Sequence, residues 1–354
     1  LNMNITIVLP WYDYNLPSGG ILNMYGYAER LACKGHKITI LYDCGKGKGK
    51  LKIPNIITYN KRRKKTISKK KLYKKKNITE IAVYSINDKT VPDGDFVIAT
   101  ALITVGGVNG LSKCKGKKVY FIQGFENWGI SDREVYKTYE LGMINIAVSS
   151  WLYNIVKEHT FNSAYYLPNA VDDDFGCDNA IEERNNIIIG FMYVPIKSKG
   201  TYDVLESIEI IHRKYPTIKF EAFGVYSVND ELPKYVRYTY NPTRVQLRDL
   251  YNRCSIFVTA SWLEGFGLTA AESMKCGCCL VTTDSKGIRD FSFDCKTALI
   301  CKPRDVKGLT KKIEMAINEN DRRIEIANAG VKIIENFNWD KNVSQLEKIL
   351  KDNL

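Results

Sequence analysis

Two carboxylates, Glu264 and Glu272, stand with seven residues between them around the segment Gly265-Phe266-Gly267-Leu268. Carboxylates accept hydrogen bonds from hydroxyl groups. Glycines let a ligand approach the backbone. The first free N–H groups of a helix favour an anion. The ligand that such a segment fits carries hydroxyls at both ends and negative charge in the middle, as a nucleotide sugar does. The plainer alternative is that Glu272 complements the dipole of its helix and that the glycine segment is an ordinary loop.

The elements that would position these groups can be read around them. Residues 255–260 predict a buried strand, the glycine loop follows, a helix opens at about Leu268, and Cys279–Thr283 predicts a second strand. Strand, helix, strand is the unit of a parallel sheet, and open sheets of this kind bind ligands at the carboxyl ends of their strands. The same pattern opens the chain. A strand over Ile5–Pro10 leads through Ser18-Gly19-Gly20 into a helix over Ile21–Cys33, then to a strand over Lys37–Tyr42. Gly19 and Gly20 are therefore candidates for a second anion-binding turn. Further strands are predicted at 81–85, 96–99, 118–123, 144–149, 187–190, 219–225 and 295–301. Helices are predicted from Ser150 and over 200–214, 243–252, 305–318, 322–335 and 339–351. The fold class is α/β with parallel sheets.

The chain of 354 residues has room for two domains, and 45% hydrophobic residues supply their cores. No apolar run reaches the roughly 18 residues of a membrane-spanning helix. The first residues read directly as a strand and not as a secretory signal. These features predict a cytoplasmic protein. The ten cysteines show no C-x2-C pair joined to a second pair or to histidines, and Cys276, Cys278 and Cys279 fall on a helix end and a buried strand, so reduced thiols are expected. The net charge of +13 is local: Lys46–Lys76 holds 15 Lys and Arg and no acid, and without them 37 basic residues face 39 acidic ones. Nucleic-acid binding would need aromatic groups among those charges, and residues 61–76 contain only Tyr73. A solvated loop or a peripheral, salt-sensitive contact with an anionic membrane remains. No amphipathic helix with tryptophan or leucine anchors is expected there, so any attachment is electrostatic.

The segment Glu264-Gly265-Phe266-Gly267-Leu268, with Glu272-Ser273-Met274, Gly277 and Leu280-Val281, resembles the E-x7-E signature of family 4 glycosyltransferases. Cys279 replaces that pattern's proline. The resemblance implies a GT-B fold, two Rossmann-like domains with parallel sheets facing across a cleft. It places an acceptor domain at 1–168, joined by a C-terminal helix from about 338 to 354, and a donor domain at 169–337. Residues 165–175, YYLPNAVDDDF, resemble the family's interdomain connector, with Ala170 for its usual glycine. Lys199-Gly200 matches the family's lysine-glycine pair at a helix start. The arginine that accompanies it is missing, with Phe191 and Met192 near its place, and Lys197 is its expected substitute, with Arg289 or Ser18 sharing the role.

By the same resemblance Glu272 holds ribose hydroxyls and Glu264 holds the transferred sugar. Lys199 and Lys197, with the N–H groups of Gly19–Gly20 and Gly267–Leu268, stabilise the departing diphosphate. Gly265, Phe266 and Thr269 complete the donor site, and Tyr238 to Asn241 lie where the base is contacted. Gln123 stands near the place of the family's histidine. YFIQ-x-x-E, ending on Glu126, resembles a rhamnosyltransferase-like branch, so Gln123 and Glu126 are candidates for acceptor contact or plain loop residues. His36 fits a structural strand opener. The implied reaction is retaining transfer of a hexosyl or deoxyhexosyl group, without metal or further cofactor, from a UDP, GDP or TDP sugar to a glycan or lipid-linked acceptor. Other classes stay open: an epimerase or phosphorylase of the same fold, or a non-catalytic nucleic-acid or anion-binding protein.

Overall fold

A computed structural model describes residues 2–13, 18–45, 55–66, 77–184, 186–228 and 232–354. The chain divides into two compact units, Leu1–Pro168 with Asp340–Leu354, and Asn169–Trp339.

The first unit contains β1 (Asn4–Pro10), α1 (Gly19–Cys33), β2 (Lys37–Asp43), α2 (Asn55–Thr66), β3 (Ile78–Val83), β4 (Phe96–Ala99), α3 (Leu102–Asn109), β5 (Lys117–Ile122), α4 (Asp132–Tyr139), β6 (Ile144–Ala147), α5 (Ser150–His159) and β7 (Ala164–Tyr166). All seven strands are parallel, in the order β3-β2-β1-β4-β5-β6-β7. Register is fixed by the apolar runs. Ile5 pairs with Ile38 on one side and Phe96 on the other, and all three are buried.

The second unit contains β8 (Ile188–Met192), α6 (Thr201–Lys214), β9 (Lys219–Gly224), β10 (Val236–Tyr240), α7 (Arg244–Arg253), β11 (Ile256–Val258), α8 (Leu268–Lys275), β12 (Cys279–Thr283), β13 (Leu299–Cys301), α9 (Val306–Asn318) and α10 (Asn320–Ile334). Its six parallel strands run β10-β9-β8-β11-β12-β13. Strands buried on both faces, such as Cys279–Thr283, are nearly continuous apolar runs, as parallel sheets require. Both sheets reverse direction once, between β1 and β4 and between β8 and β11. Such a reversal opens a crevice at the carboxyl edge, where doubly wound sheets take their ligands.

The last helix, α11 (Trp339–Asp352), places Val343, Leu346, Ile349 and Leu350 inward. Its polar groups meet the rest of the first unit. Glu347 pairs with Lys34 at 2.7 Å, Gln345 Nε2 donates to the Tyr166 carbonyl at 2.9 Å, and Asn342 donates to the Pro168 carbonyl. His36 is buried there, with Nδ1 accepting from the Met3 N–H at 3.0 Å.

The expected α/β class holds, and the differences in detail have physical reasons. Helix α2 lies inside the basic stretch, whose residues 46–54 and 67–76 fall outside the described residues. Five cations within twelve residues hide its period. Its inner face is set by polar contacts: Tyr59 and Thr66 donate to the Ala82 and Tyr12 carbonyls, and Arg62 donates to the Cys44 carbonyl. Its first turn leaves two apolar side chains, Ile56 and Ile57, exposed beside the charge. Helix α3 carries two glycines and β-branched residues and has no helical sequence signal. Helix α4 is absent from the expected elements, although Ser131 and Glu134 form a capping box that marks its start. The strand expected over 295–301 shrinks to Leu299–Cys301, because Cys295 sits at φ +59° in a turn. Among the described residues no helix is long and apolar enough to cross a membrane.

Candidate functional site

The crevice between β8 and β11 gathers most of the groups singled out in the sequence. After β8 the chain makes a single turn of 3-10 helix, Lys197–Lys199, and enters α6 through Gly200. Gly200 adopts φ +68°, and a Cβ there would lie 1.9 Å from the Ala260 carbonyl oxygen, so only glycine fits. This close approach sets the loop after β8 against the loop after β11. Trp262 N–H donates to the Ser198 carbonyl at 2.9 Å, and Ser261 Oγ donates to the Lys199 carbonyl at 3.4 Å. The result brings Lys199 to Glu264: Nζ donates to Oε1 at 2.8 Å, with both side chains partly exposed.

Glu264 is held from its other side by the strand extension after β12. Its N–H donates to the Ser285 carbonyl at 2.9 Å, and it bridges Lys286 in parallel register. Gly267 then turns the chain into α8 at φ +95°, where L side chains are strained. Leu268 and Thr269 form the helix start, whose N–H groups have no partner within the helix. Thr269 Oγ1 lies 3.9 Å from Met192 Sδ at the end of β8. Phe266, expected in the donor site, turns its side chain into the core instead. It is 2% exposed and packs against Phe291 and Phe337, with ring centroids 5.2 and 5.6 Å away.

Glu272, one turn into α8, is half-buried, and its carboxyl sits among protein atoms. Burial pushes it up to about 7; the charge of Arg244 and a hydrogen bond from Tyr251 Oη at 3.3 Å act in the opposite direction. Lys197, expected to join Lys199, has its ammonium 5.9 Å from the centre of the Trp262 ring, while Arg304 covers that ring at 4.0 Å. Arg289 is engaged by Asp284 through two hydrogen bonds of 2.7 and 2.6 Å, and Ser18 caps α1 by accepting from the Ile21 N–H. The sequence reading passed over Arg244, Tyr251 and Trp262. Their signal was position alone: a capped helix start, a helix residue facing Glu272, and a strand-end loop.

The remaining predicted residues lie in the first unit, around its own sheet reversal. Gly19 and Gly20 open α1. Gln123 follows β5, donates from Nε2 to the Thr100 carbonyl at 3.1 Å, and keeps Oε1 buried beside Gly20. Glu126 accepts from the Leu102 N–H at the start of α3, at 2.8 Å. Burial pushes its carboxyl up to about 7.

Among the described residues no group of three His, Cys, Asp or Glu side chains is placed to hold a metal ion. Cys276, Cys278 and Cys279 are buried free thiols. Burial pushes Cys276 and Cys279 up to about 12, and Cys278 donates to the Tyr251 carbonyl.

Residues 179–333 match the model of glycosyl transferases group 1. They form a glycosyl transferases group 1 domain in a chain of GT-B fold. The glycosyltransferase resemblance of the Glu264–Glu272 segment is thus borne out. The capsular polysaccharide biosynthesis glycosyltransferase CapM of Staphylococcus aureus is 27% identical over 194 residues, covering 49% of this chain and 51% of CapM. An N,N'-diacetylbacillosaminyl-diphospho-undecaprenol alpha-1,3-N-acetylgalactosaminyltransferase of Campylobacter jejuni is 26% identical over 104 residues, 29% of this chain and 27% of the relative. The chain spans about half the length of CapM and of the other curated relative with a comparably long match. Among solved structures, Anabaena HepE in complex with UDP-glucose superposes with a TM-score of 0.74 at 12% identity, covering 99% of this chain and 100% of HepE. Sucrose-phosphate synthase of Thermosynechococcus elongatus gives 0.75 at 12% identity, covering 99% of each chain. At such identities the likeness concerns the fold. The glycosyl transferases group 1 match falls on the unit that carries Lys199, Glu264 and Glu272.

Proposed function

We propose that the chain transfers a hexosyl or deoxyhexosyl group from a nucleotide-diphosphate sugar to a glycan or lipid-linked acceptor, with retention of anomeric configuration. The observation that carries this reading is the Lys199–Glu264 pair at the sheet reversal, with Glu272 further along the same loop and helix. Cleaving the anomeric C–O bond leaves negative charge on the diphosphate. The Lys199 ammonium and the N–H groups opening α8 are groups of the right sign to stabilise it. On donor binding Lys199 exchanges Glu264 for phosphate oxygens, and Glu264 turns to hydroxyls of the transferred sugar. Glu272, ionised, accepts from the ribose hydroxyls. In a front-face retaining reaction the acceptor proton passes to the departing phosphate, so no side-chain base is required. Lys199 fills the role that a metal ion would otherwise take.

A UDP-type donor is supported by the UDP-glucose held by HepE, with GDP and TDP sugars as the alternatives. CapM is named for a capsular polysaccharide and the Campylobacter relative for a diphospho-undecaprenol substrate, which supports glycan and lipid-linked acceptors alike. In this reading the first unit takes the acceptor near Gln123 and Glu126, and the second takes the donor. The protein works in the cytoplasm, and the stretch Lys46–Lys76 contacts anionic membrane. A thermal-shift screen with UDP, GDP, TDP and their common sugars, followed by donor hydrolysis and transfer assays, tests the reading. Stabilisation by one nucleotide, lost in Glu272→Ala, is expected. A screen with no hit sinks it.

A further inference from the structure

The connector that enters the second unit is tied to both helices that carry the Glu272 environment. Arg244, the first residue of α7, donates from Nη2 to Asp172 Oδ2 at 2.7 Å, and its Nε lies 3.8 Å from Asp174. The same guanidinium lies 5.3 Å from the centre of the Phe175 ring. Phe175 packs edge-on against Tyr251 at 5.8 Å, and Tyr251 donates to Glu272 at 3.3 Å. From α8, Lys275 Nζ reaches back to the Val171 and Asp172 carbonyls at 3.3 and 2.9 Å. Arg244 is thus fixed by connector residues, while its helix also supplies the hydrogen bond to Glu272.

We propose that Arg244 is a positioning residue: clamped by Asp172 and Phe175, it supplies the positive charge that keeps Glu272 ionised to receive the hydroxyls of the nucleotide. The inference rests on the donor-site reading of Glu272. The ionisable groups acting on Glu272 are Arg244 and Tyr251 from α7, Asp172 from the connector and Cys276 one turn along α8. Burial pushes Tyr251 and Cys276 up, so both are neutral near neutral pH. Asp172 opposes ionisation, and its charge is answered by Arg244 itself. With burial holding the Glu272 carboxyl at about 7, a modest loss of positive charge protonates it at neutral pH. A protonated carboxyl has lost acceptor capacity.

The test measures nucleotide affinity by calorimetry from about pH 6 to about pH 9, for whichever of UDP, GDP and TDP binds the wild type. The variants are Arg244→Gln, Arg244→Lys and Glu272→Gln. Wild-type affinity rises with pH through about 7. In Arg244→Gln that rise moves to higher pH, a deficit at neutrality of roughly fivefold for the first unit of displacement and roughly tenfold for each further one, and it recovers at the alkaline end. Arg244→Lys restores most of the wild-type profile, and Glu272→Gln is flat with pH. A deficit in Arg244→Gln that is equal at every pH overturns the inference, because a merely structural arginine behaves so. Wild-type affinity and profile in Glu272→Gln instead remove the donor-site reading. Melting without nucleotide supplies the independent arm. A carboxyl raised in the folded state contributes stability below its unfolded value that is lost as pH rises through the folded one. The loss extends to higher pH in Arg244→Gln than in wild type and disappears in Arg244→Gln/Glu272→Gln. Identical wild-type and Arg244→Gln melting profiles also overturn it.

Discussion

The two sheets share one strand order over six strands, β7 extending the first, and place half-buried carboxyls near their reversals, yet those carboxyls sit in different electrical settings. In the second unit, Glu272 is raised to about 7 against the opposing charge of Arg244 and a hydrogen bond from Tyr251, and Glu264 is paired with Lys199. In the first unit, Glu126 reaches about the same value with the Leu102 N–H as the influence favouring its ionised form. Topology therefore places a ligand crevice, and the loop residues decide whether it is prepared for an anion. The largest expected effect tests that contrast. Lys199→Ala should lower kcat/KM for transfer by about 2–4 kcal/mol, the scale of one lost oxyanion donor. Retention of kcat/KM within about twofold, with loss in Lys197→Ala, would move the role to Lys197. Glu264→Ala should impair turnover more than donor binding.

The second prediction concerns binding alone. Glu272→Ala should weaken nucleotide affinity by about 1.5–3 kcal/mol, the range for a hydrogen bond to a charged group. Undiminished affinity in calorimetry would leave Glu272 as a buried structural acid, the plainer reading of its place in a helix.

The legible part of this molecule is the part in which residue type and backbone demand coincide. The Glu264–Leu268 loop was readable because its glycines answer to geometry: Gly267 at a left-handed helix entry, and Gly200 opposite it against Ala260. Buried strands such as Phe96–Ala99 and Cys279–Thr283 were readable as short apolar runs between turns. What escaped was set by tertiary contact. Phe266 belongs to an aromatic cluster with Phe291 and Phe337, and the motif gives no sign of its orientation. Lys197 is the expected substitute for the missing arginine by its place in the loop after β8, yet its ammonium faces a ring on another loop. Helix α2 has the composition of a solvated run, and only its contacts with the β2 and β3 loops and strands reveal the inner face. Arg244 carries no motif at all.

The third prediction breaks the likeness between the two raised carboxyls. Glu126 is raised above its ordinary value, so its contribution to stability is present below about pH 4.5 and is lost as pH rises through about 7. Glu126→Gln should flatten that part of the stability curve and gain about 1–3 kcal/mol at pH 8 relative to wild type, allowing for its partial exposure. Urea titrations at several pH values read this directly. A variant with the wild-type slope would mean that Glu126 is ionised and solvated, and its claim to a prepared acceptor site would fall.

The smallest effect belongs to the outer face of α2. Where the second unit sets Lys199 at its strand ends, the first carries Lys61, Arg63 and Lys64 exposed on this helix, with Ile56 and Ile57 exposed one to two turns earlier. Each cation near an anionic leaflet contributes about 1 kcal/mol. Lys65 is paired with Asp13 at 2.7 Å and should contribute less. The exposed isoleucines add an apolar part that salt does not screen. Cosedimentation with vesicles of about one-third anionic lipid should therefore fall, but not vanish, at high salt. Lys64→Gln should weaken binding by about 1 kcal/mol at low salt, and Ile56→Ser/Ile57→Ser should remove the salt-resistant fraction. Transfer to a water-soluble acceptor should be unaffected by either. Binding lost entirely at high salt would return the attachment to charge alone. No binding at low salt would leave α2 as a solvated cationic helix, and the contrast between the units would rest on their strand ends only.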